Sequence, residues 1–205
     1  MNKFTRILGS LFLVGGMASA NVGSSPKQVQ LRLDLIKVKK ATYVDIINQD
    51  EGKLKETLMD LVRRGFAELK VVTESLGKSG VRVSVKSTED FRYVDSIEKG
   101  EAVFQTIDIG NVFEVEPVVG PDGYTIDVNM IFSLRSILPG GEELRDDRGR
   151  VYIKPNFYNV QSNQSLTVWD GQEIRVFVQR DSEADSVVVG FLRARLVDPS
   201  GAPRN

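Results

Sequence analysis

Apolar positions along the chain follow two periods. From residue 28 the stretch QVQLRLDLIKV alternates, with Val29, Leu31, Leu33 and Leu35 on one face. That predicts a strand, and the slip at Ile36 predicts a bulge or an end there. Residues 41–50 fit neither period. From Asp50 the spacing changes, with Leu54, Leu58, Leu61 and Val62 at i, i+4, i+7 and i+8. This is the stripe of an amphipathic helix over about residues 51–64, and Gly65 stands where such a helix stops. Alternation then returns. AELKVVTESL and VRVSVKS read as strands about a GKSG turn, the second with Val81, Val83 and Val85 inward, and FRYVDSIEKGEAVFQTIDIG carries a loop around Glu98, Lys99 and Gly100. The longest alternating run sets Tyr124, Ile126, Val128, Met130, Phe132 and Leu134 against Thr125, Asp127, Asn129, Ser133 and Arg135, with Ile131 the exception. Such a strand has one dry and one wet face.

Turn residues divide these runs. In VFEVEPVVGPDGYTIDVNMIF, Gly-Pro-Asp-Gly suits a type I turn, with Pro121 second, Asp122 third and Gly123 free to take positive φ. Pro117 lacks the N–H that a ladder needs, which puts its strand at an edge or breaks it there. In QSLTVWDGQEIRVFVQR the Asp170-Gly171 pair between alternating runs is a second hairpin signal. LPGGEELRDDRGR reads as a polar loop, YIKPNFYNVQSN as irregular, DSEADS as a solvated loop and VVVGFLRARLV as a closing strand. The fold class expected is α+β, mostly β: antiparallel hairpins form a sheet with the amphipathic helix packed on it. The dry face of residues 124–134 is expected to meet that helix, with coverage by a neighbouring subunit or by lipid as alternatives.

The first twenty residues stand apart. Lys3 and Arg6 precede the short apolar stretch ILGSLFLVGGM, and Ala18-Ser19-Ala20 before Asn21 is the small-x-small pattern of a signal-peptidase site. That order describes a secretory leader, too short in its apolar part to span a bilayer. No Cys follows the stretch, which excludes a lipoprotein anchor. The division expected is a signal peptide at 1–20, a flexible segment at 21–27, one β-rich domain at 28–201 and a tail at 202–205.

Composition narrows the chemistry. The chain has neither Cys nor His, so it lacks the usual general base, the thiolate nucleophile and the common zinc ligands. Lys+Arg 27 against Asp+Glu 28, with no basic block, argues against nucleic acid as partner. Glu142, Glu143, Asp146 and Asp147 match no calcium-loop spacing, and Arg145, Arg148 and Arg150 offset them, so a solvated loop is the reading. Ser75, Lys78 and Ser79 form an S-x-x-K-like stretch in a turn with no supporting motif. No catalytic residue, metal site or cofactor is expected. Trp169 is either an exposed anchor or the lid of a core.

The order of segments then carries a resemblance. AELKVVTESLGKSGVRVSV (residues 67–85), IGNVFEVEPVVGPDGYTIDVNM (109–130), NVQSNQSLTVWDGQEIRVF (159–177) and VVVGFLRARLVDPSG (187–201) are similar, in that order, to segments of the secretin C-terminal domain. Secretins are multimeric outer-membrane channels of type II and III secretion and type IV pilus systems. Gly110, Val115, Pro117, Asp122 and Gly123 stand at positions of one family signature, and Asp170, Gly171 and Gln172 at another. The resemblance covers residues 28–201. It departs where the family's gate segment is replaced by RDSEADS (180–186), where Val178-Gln179 stands for a glycine pair, and where few residues precede the helix. It therefore resembles a shortened secretin-like domain. Together, the resemblance and the leader imply an exported protein of the periplasm or outer membrane of a Gram-negative bacterium. It would be non-catalytic, assembling with itself or with secretion or pilus machinery and contacting the outer membrane. A soluble periplasmic binding or scaffold module that keeps the fold without a pore is the alternative.

Overall fold

A computed structural model describes residues 27–47, 51–181 and 185–198 of the protein. The leader, with Ala18, Ala20 and Asn21, lies outside the described residues. In chain order the elements are β1 (Gln28–Lys39), α1 (Lys40–Ile46), α2 (Glu51–Arg63), β2 (Ala67–Lys78), β3 (Val83–Glu98), β4 (Glu101–Val119), β5 (Thr125–Arg145), β6 (Val151–Trp169), β7 (Glu173–Arg180) and β8 (Ser186–Val197). They form two antiparallel sheets of four strands: sheet A in the order β2-β1-β8-β7, and sheet B in the order β3-β4-β5-β6. The protein is mostly β with a helix packed on a sheet, as the periodicity predicts.

Layering differs from the expectation in one respect. The dry face of β5 does not meet the helix; it meets sheet A. Ile126, Val128, Met130 and Phe132 are at most 1% exposed, and they share a core with Val29, Leu31, Leu33 and Leu35 of β1 and Val188, Leu192, Ala194 and Leu196 of β8. Helix α2 lies on the other face of sheet A, where Leu54 and Leu58 pack with Ile36, Val38, Val187, Val189 and Phe191. A middle sheet is needed because β1 around Leu35–Val38 and β8 around Val187–Leu192 are apolar on both faces. The run VVVGFLRARLV has the near-continuous hydrophobicity of a strand buried on two sides. Ile36 is the first apolar residue of β1 on the helix side, and the pairing with β2 shifts at that point, with Lys70 as the extra residue. Gly190 is required by close packing: a Cβ there would stand 2.7 Å from the Phe177 ring.

The end of α2 follows its sequence signal. Gly65 takes φ 76°, its N–H donates to Val62 O, and Phe66 N–H donates to Leu61 O, a Schellman motif. The ambiguous 41–50 stretch supplies α1, whose Tyr43 and Ile46 fill the helix-side core. A buried carboxylate ties the helix layer down. Asp34 is 2% exposed on the helix side of β1, and it is paired with Arg32 and with Lys55 of α2, which also bridges to Glu173 of β7.

Two stretches read as loop or irregular carry strand, and the stretch read as a solvated loop, of which residues 182–184 lie outside the described residues, is buried at Asp181. β5 runs on to Arg145 through a register shift between Leu138 and Gly141, and β6 begins at Val151. Pro139 and Gly140 are the unpaired residues of that shift, so the Pro-Gly-Gly punctuation marks a bulge and not a strand end. Asp181, in the stretch read as a solvated loop, is 7% exposed and lies 2.9 Å from Lys37 Nζ.

Candidate functional site

The turn residues singled out in the sequence, Pro117, Pro121, Asp122, Gly123, Asp170 and Gly171, sit at one end of sheet B, near the start of β1 and the end of β8. At the β4–β5 turn, Gly123 N–H donates to Gly120 O at 3.1 Å, Gly123 has φ 85°, and Pro121 holds the second position. Asp122 accepts from the N–H groups of Tyr124 and Thr125, at 3.0 and 2.9 Å, and from the Thr125 hydroxyl at 2.8 Å. The Thr125 N–H above all, with the other donors and the charge of Lys27, outweighs desolvation and holds the Asp122 carboxyl below its usual range.

Pro117 is not on an edge strand, since β4 lies between β3 and β5. The β3 ladder stops at Val83↔Val115, two residues short of it. Its carbonyl accepts from Gly80 N–H at 2.7 Å. In a strand a residue's N and O point to the same side, so the missing N–H faces the β2–β3 turn and the β5 ladder loses nothing. The edge is local.

Asp170 and Gly171 do not close a hairpin. β6 pairs with β5, and β7 pairs with β8 in the other sheet, so the D-G turn is a corner between sheets. Short local signals report a reversal of the chain, not which strand it will pair with. The corner is stitched to both layers. Asp170 N–H donates to Tyr124 O, Gly171 N–H (φ 78°) to Ala194 O, and the Asp170 carboxylate accepts from Leu196 N–H at 2.7 Å. Gln172 accepts from Trp169 N–H through Oε1 at 2.9 Å. Trp169 is 56% exposed and stacks on Tyr124 at 5.4 Å, so it does not lid the core.

Away from this end, sheet B outgrows its core. β4 and β5 pair only from Gly110↔Arg135 to Val119↔Ile126. Beyond that point they part, and the sheet becomes two ribbons, β3–β4 and β5–β6. Gly110, at the fork, takes φ 125°, and a Cβ there would lie 2.1 Å from Ser87 O. A polar cleft of about 510 Å3 opens at the fork, lined by Asp108, Gly110, Ser133, Arg135, Asn159 and Gln161. Nothing in the local sequence signals that cleft, because it needs the register of both ribbons.

The acidic stretch at the β5–β6 tip is ordered. Asp146, 5% exposed, accepts from the N–H groups of Arg148 and Arg150 and from Arg150 Nε at 2.6 Å. Burial pushes its carboxyl up, but the Arg150 N–H and guanidinium outweigh that and leave it below the usual range. Ser75 and Lys78 lie on β2, three residues apart and therefore on opposite faces; Ser75 is buried and Lys78 exposed. They form no dyad. Ser79 accepts from Val119 N–H instead. Among the described residues no group of three or more acidic side chains converges as a metal site, and no helix is long and apolar enough to cross a membrane.

Two stacked antiparallel sheets, a helix layer behind one and a forked, overlong second sheet define the class: a β-sandwich with one sheet extended beyond its core. Solved secretin domains share that fold. The type II secretin GspD of enteropathogenic Escherichia coli superposes with a TM-score of 0.50 at 8% identity, over 87% of this chain and 71% of that one. InvG, the injectisome secretin of Salmonella SPI-1, gives 0.44 at 16% identity, over 86% and 66%. PilQ, the type IV competence pilus secretin of Vibrio cholerae, gives 0.47 at 9% identity, over 86% and 62%. The chain spans only part of the length of these secretins. No protein-family model and no curated protein matches the sequence. The chain has the fold of a secretin domain.

Proposed function

We propose that this is an exported cell-envelope protein that works by assembly, with copies of itself or with secretion or pilus machinery at the outer membrane, and not by catalysis. The observation that carries the reading is the length of sheet B and the unladdered sides of its outer strands. Its strands run 16 to 21 residues. The β4–β5 ladder takes up only about half of each of those two strands, no β3 residue belongs to the sandwich core, and among the described residues the outer strands β3 and β6 are each laddered on one side alone. Unpaired backbone N–H and C=O groups along such edges are templates for another strand. The fold likeness to secretins supports the same reading, as does the leader pattern of residues 1–20.

One observation favours the alternative of a soluble periplasmic module: the dry face of β5 is sealed within the chain by sheet A. Light scattering after size exclusion, with and without detergent, separates the two. A discrete ring, or solubility confined to detergent, supports assembly. A single-subunit mass at every concentration overturns it in favour of the soluble module.

A further inference from the structure

Resting on that assembly reading, we propose that sheet B is clasped shut on itself in the single chain, β3 against β6, and that a second copy of this chain adds to the sheet when the clasp opens. The two strands are the outermost of sheet B and share no ladder among the described residues. Yet they meet beyond the fork. Lys154 Nζ of β6 lies 2.8 Å from the Asp95 carboxylate of β3. The ring of Phe157 meets Tyr93 at 5.1 Å and Phe91 at 6.5 Å, both edge-on, and Tyr152 meets Phe104 of β4 at 6.4 Å. At the tips, Asp147 N–H donates to Gly100 O at 3.3 Å.

Two features of the chain make this meeting. Gly110 ends the β4–β5 ladder, which frees the ribbons to swing together. Asp95 is the extra residue of a bulge, since Val94 faces Phe104 and Ser96 faces Val103. A bulge re-aims its side chain, here toward β6.

The clasp competes with strand addition. A new ladder strand needs about 4.8 Å of clear space beside the edge, and beyond the fork β6 and β3 occupy that space for each other. The partner that fits an opened edge is a second copy. Its β6 brings Lys154, Phe157 and Tyr152 to the first copy's Asp95, Tyr93, Phe91 and Phe104. What opening breaks within a chain, assembly remakes between chains, as in domain swapping, and a β3-to-β6 contact is head-to-tail and so can close into a ring.

Two arms test this. The chain contains no Cys, so an Asp95→Cys, Lys154→Cys variant can be tethered at those two positions alone by a short bis-maleimide in dilute solution. The tethered protein is expected to stay a single subunit at concentrations where the untethered variant assembles. In the second arm Asp95→Lys and Lys154→Glu chains are mixed: every contact within a chain is then like-charged, whereas every contact between unlike chains is opposite-charged. The mixture is expected to assemble at about three- to tenfold lower concentration than wild type, the range set by one exposed ion pair and its reversal, and each variant alone at about the wild-type concentration, because the like-charged contact is then the same within and between chains. Tethered protein that assembles as readily as untethered, or a mixture no better than its components, overturns the clasp while leaving assembly standing. If wild type, variants and mixture all remain single subunits, the assembly reading falls and the clasp falls with it.

Discussion

Replacing Phe132 by Ala measures whether the chain seals its own sheet. Phe132 is fully buried; it pairs with Phe113 across β4–β5 and stacks on Phe177 of the other sheet at 6.3 Å. Truncating a buried Phe costs about 3–5 kcal/mol, transfer and cavity together. The neighbouring Ile131 points to the wet face and is 37% exposed; its replacement by Ala should cost less than about 1 kcal/mol, as surface changes do. Urea unfolding of the purified protein, followed by far-ultraviolet circular dichroism, reads the difference. With a urea slope of about 2 kcal/mol/M, the Phe132→Ala midpoint should fall by about 2 M with an unchanged slope, and the Ile131→Ala midpoint by less than about 0.5 M. Equal shifts for the two variants would refute the reasoning: the face of β5 would then be covered in the intact assembly by something other than sheet A.

Three further outcomes rest on single contacts. Asp170→Ala removes the acceptor for Leu196 N–H at the corner between sheets and should cost about 1.5–3 kcal/mol, the range for a hydrogen bond to a charged group; Asp170→Asn should recover part of that in the same urea assay. Gly110→Ala places a Cβ against Ser87 O at a positive φ, so about 1–3 kcal/mol of backbone strain is expected, and a midpoint equal to wild type would refute the account of the fork. The Tyr158 hydroxyl, pushed up to about 12 by burial and by the charge of Asp181, should give a phenolate absorbance step only as pH approaches that value, a step absent from Tyr158→Phe. Because its folded value is raised, its contribution to stability is complete below pH about 10 and is lost as pH rises toward about 12.

Much of the fold was legible in the amino acids. Alternation from Val29 to Leu35, the stripe from Leu54 to Val62 with Gly65 after it, and the Gly-Pro-Asp-Gly turn are local signals, and local geometry obeyed them. Hydrophobic period reports which side of an element is dry, and turn residues report where the chain must reverse. The errors share a cause: each concerned a partner. Asp170-Gly171 reads as a hairpin because the sequence announces a reversal without naming the strand that comes next. Pro139-Gly140-Gly141 reads as a strand end because Pro and Gly are as proper to a bulge as to a loop. Asp146 and Asp181 read as solvated because residue type sets the prior for exposure, whereas Arg150 and Lys37 set the outcome.

By itself, then, the sequence determined the periods, the turns, the absence of Cys and His, and a succession of segments similar to secretins. Only the tertiary structure decided that sheet A covers β5, that Gly110 is a fork and that β3 comes to lie against β6. Those facts are properties of pairs of residues up to a hundred or so positions apart in the chain, such as Leu33 and Phe132 in one core. A dry face records the need for a cover; which cover arrives depends on the free energy of the whole set of contacts, and no single stretch of sequence contains it.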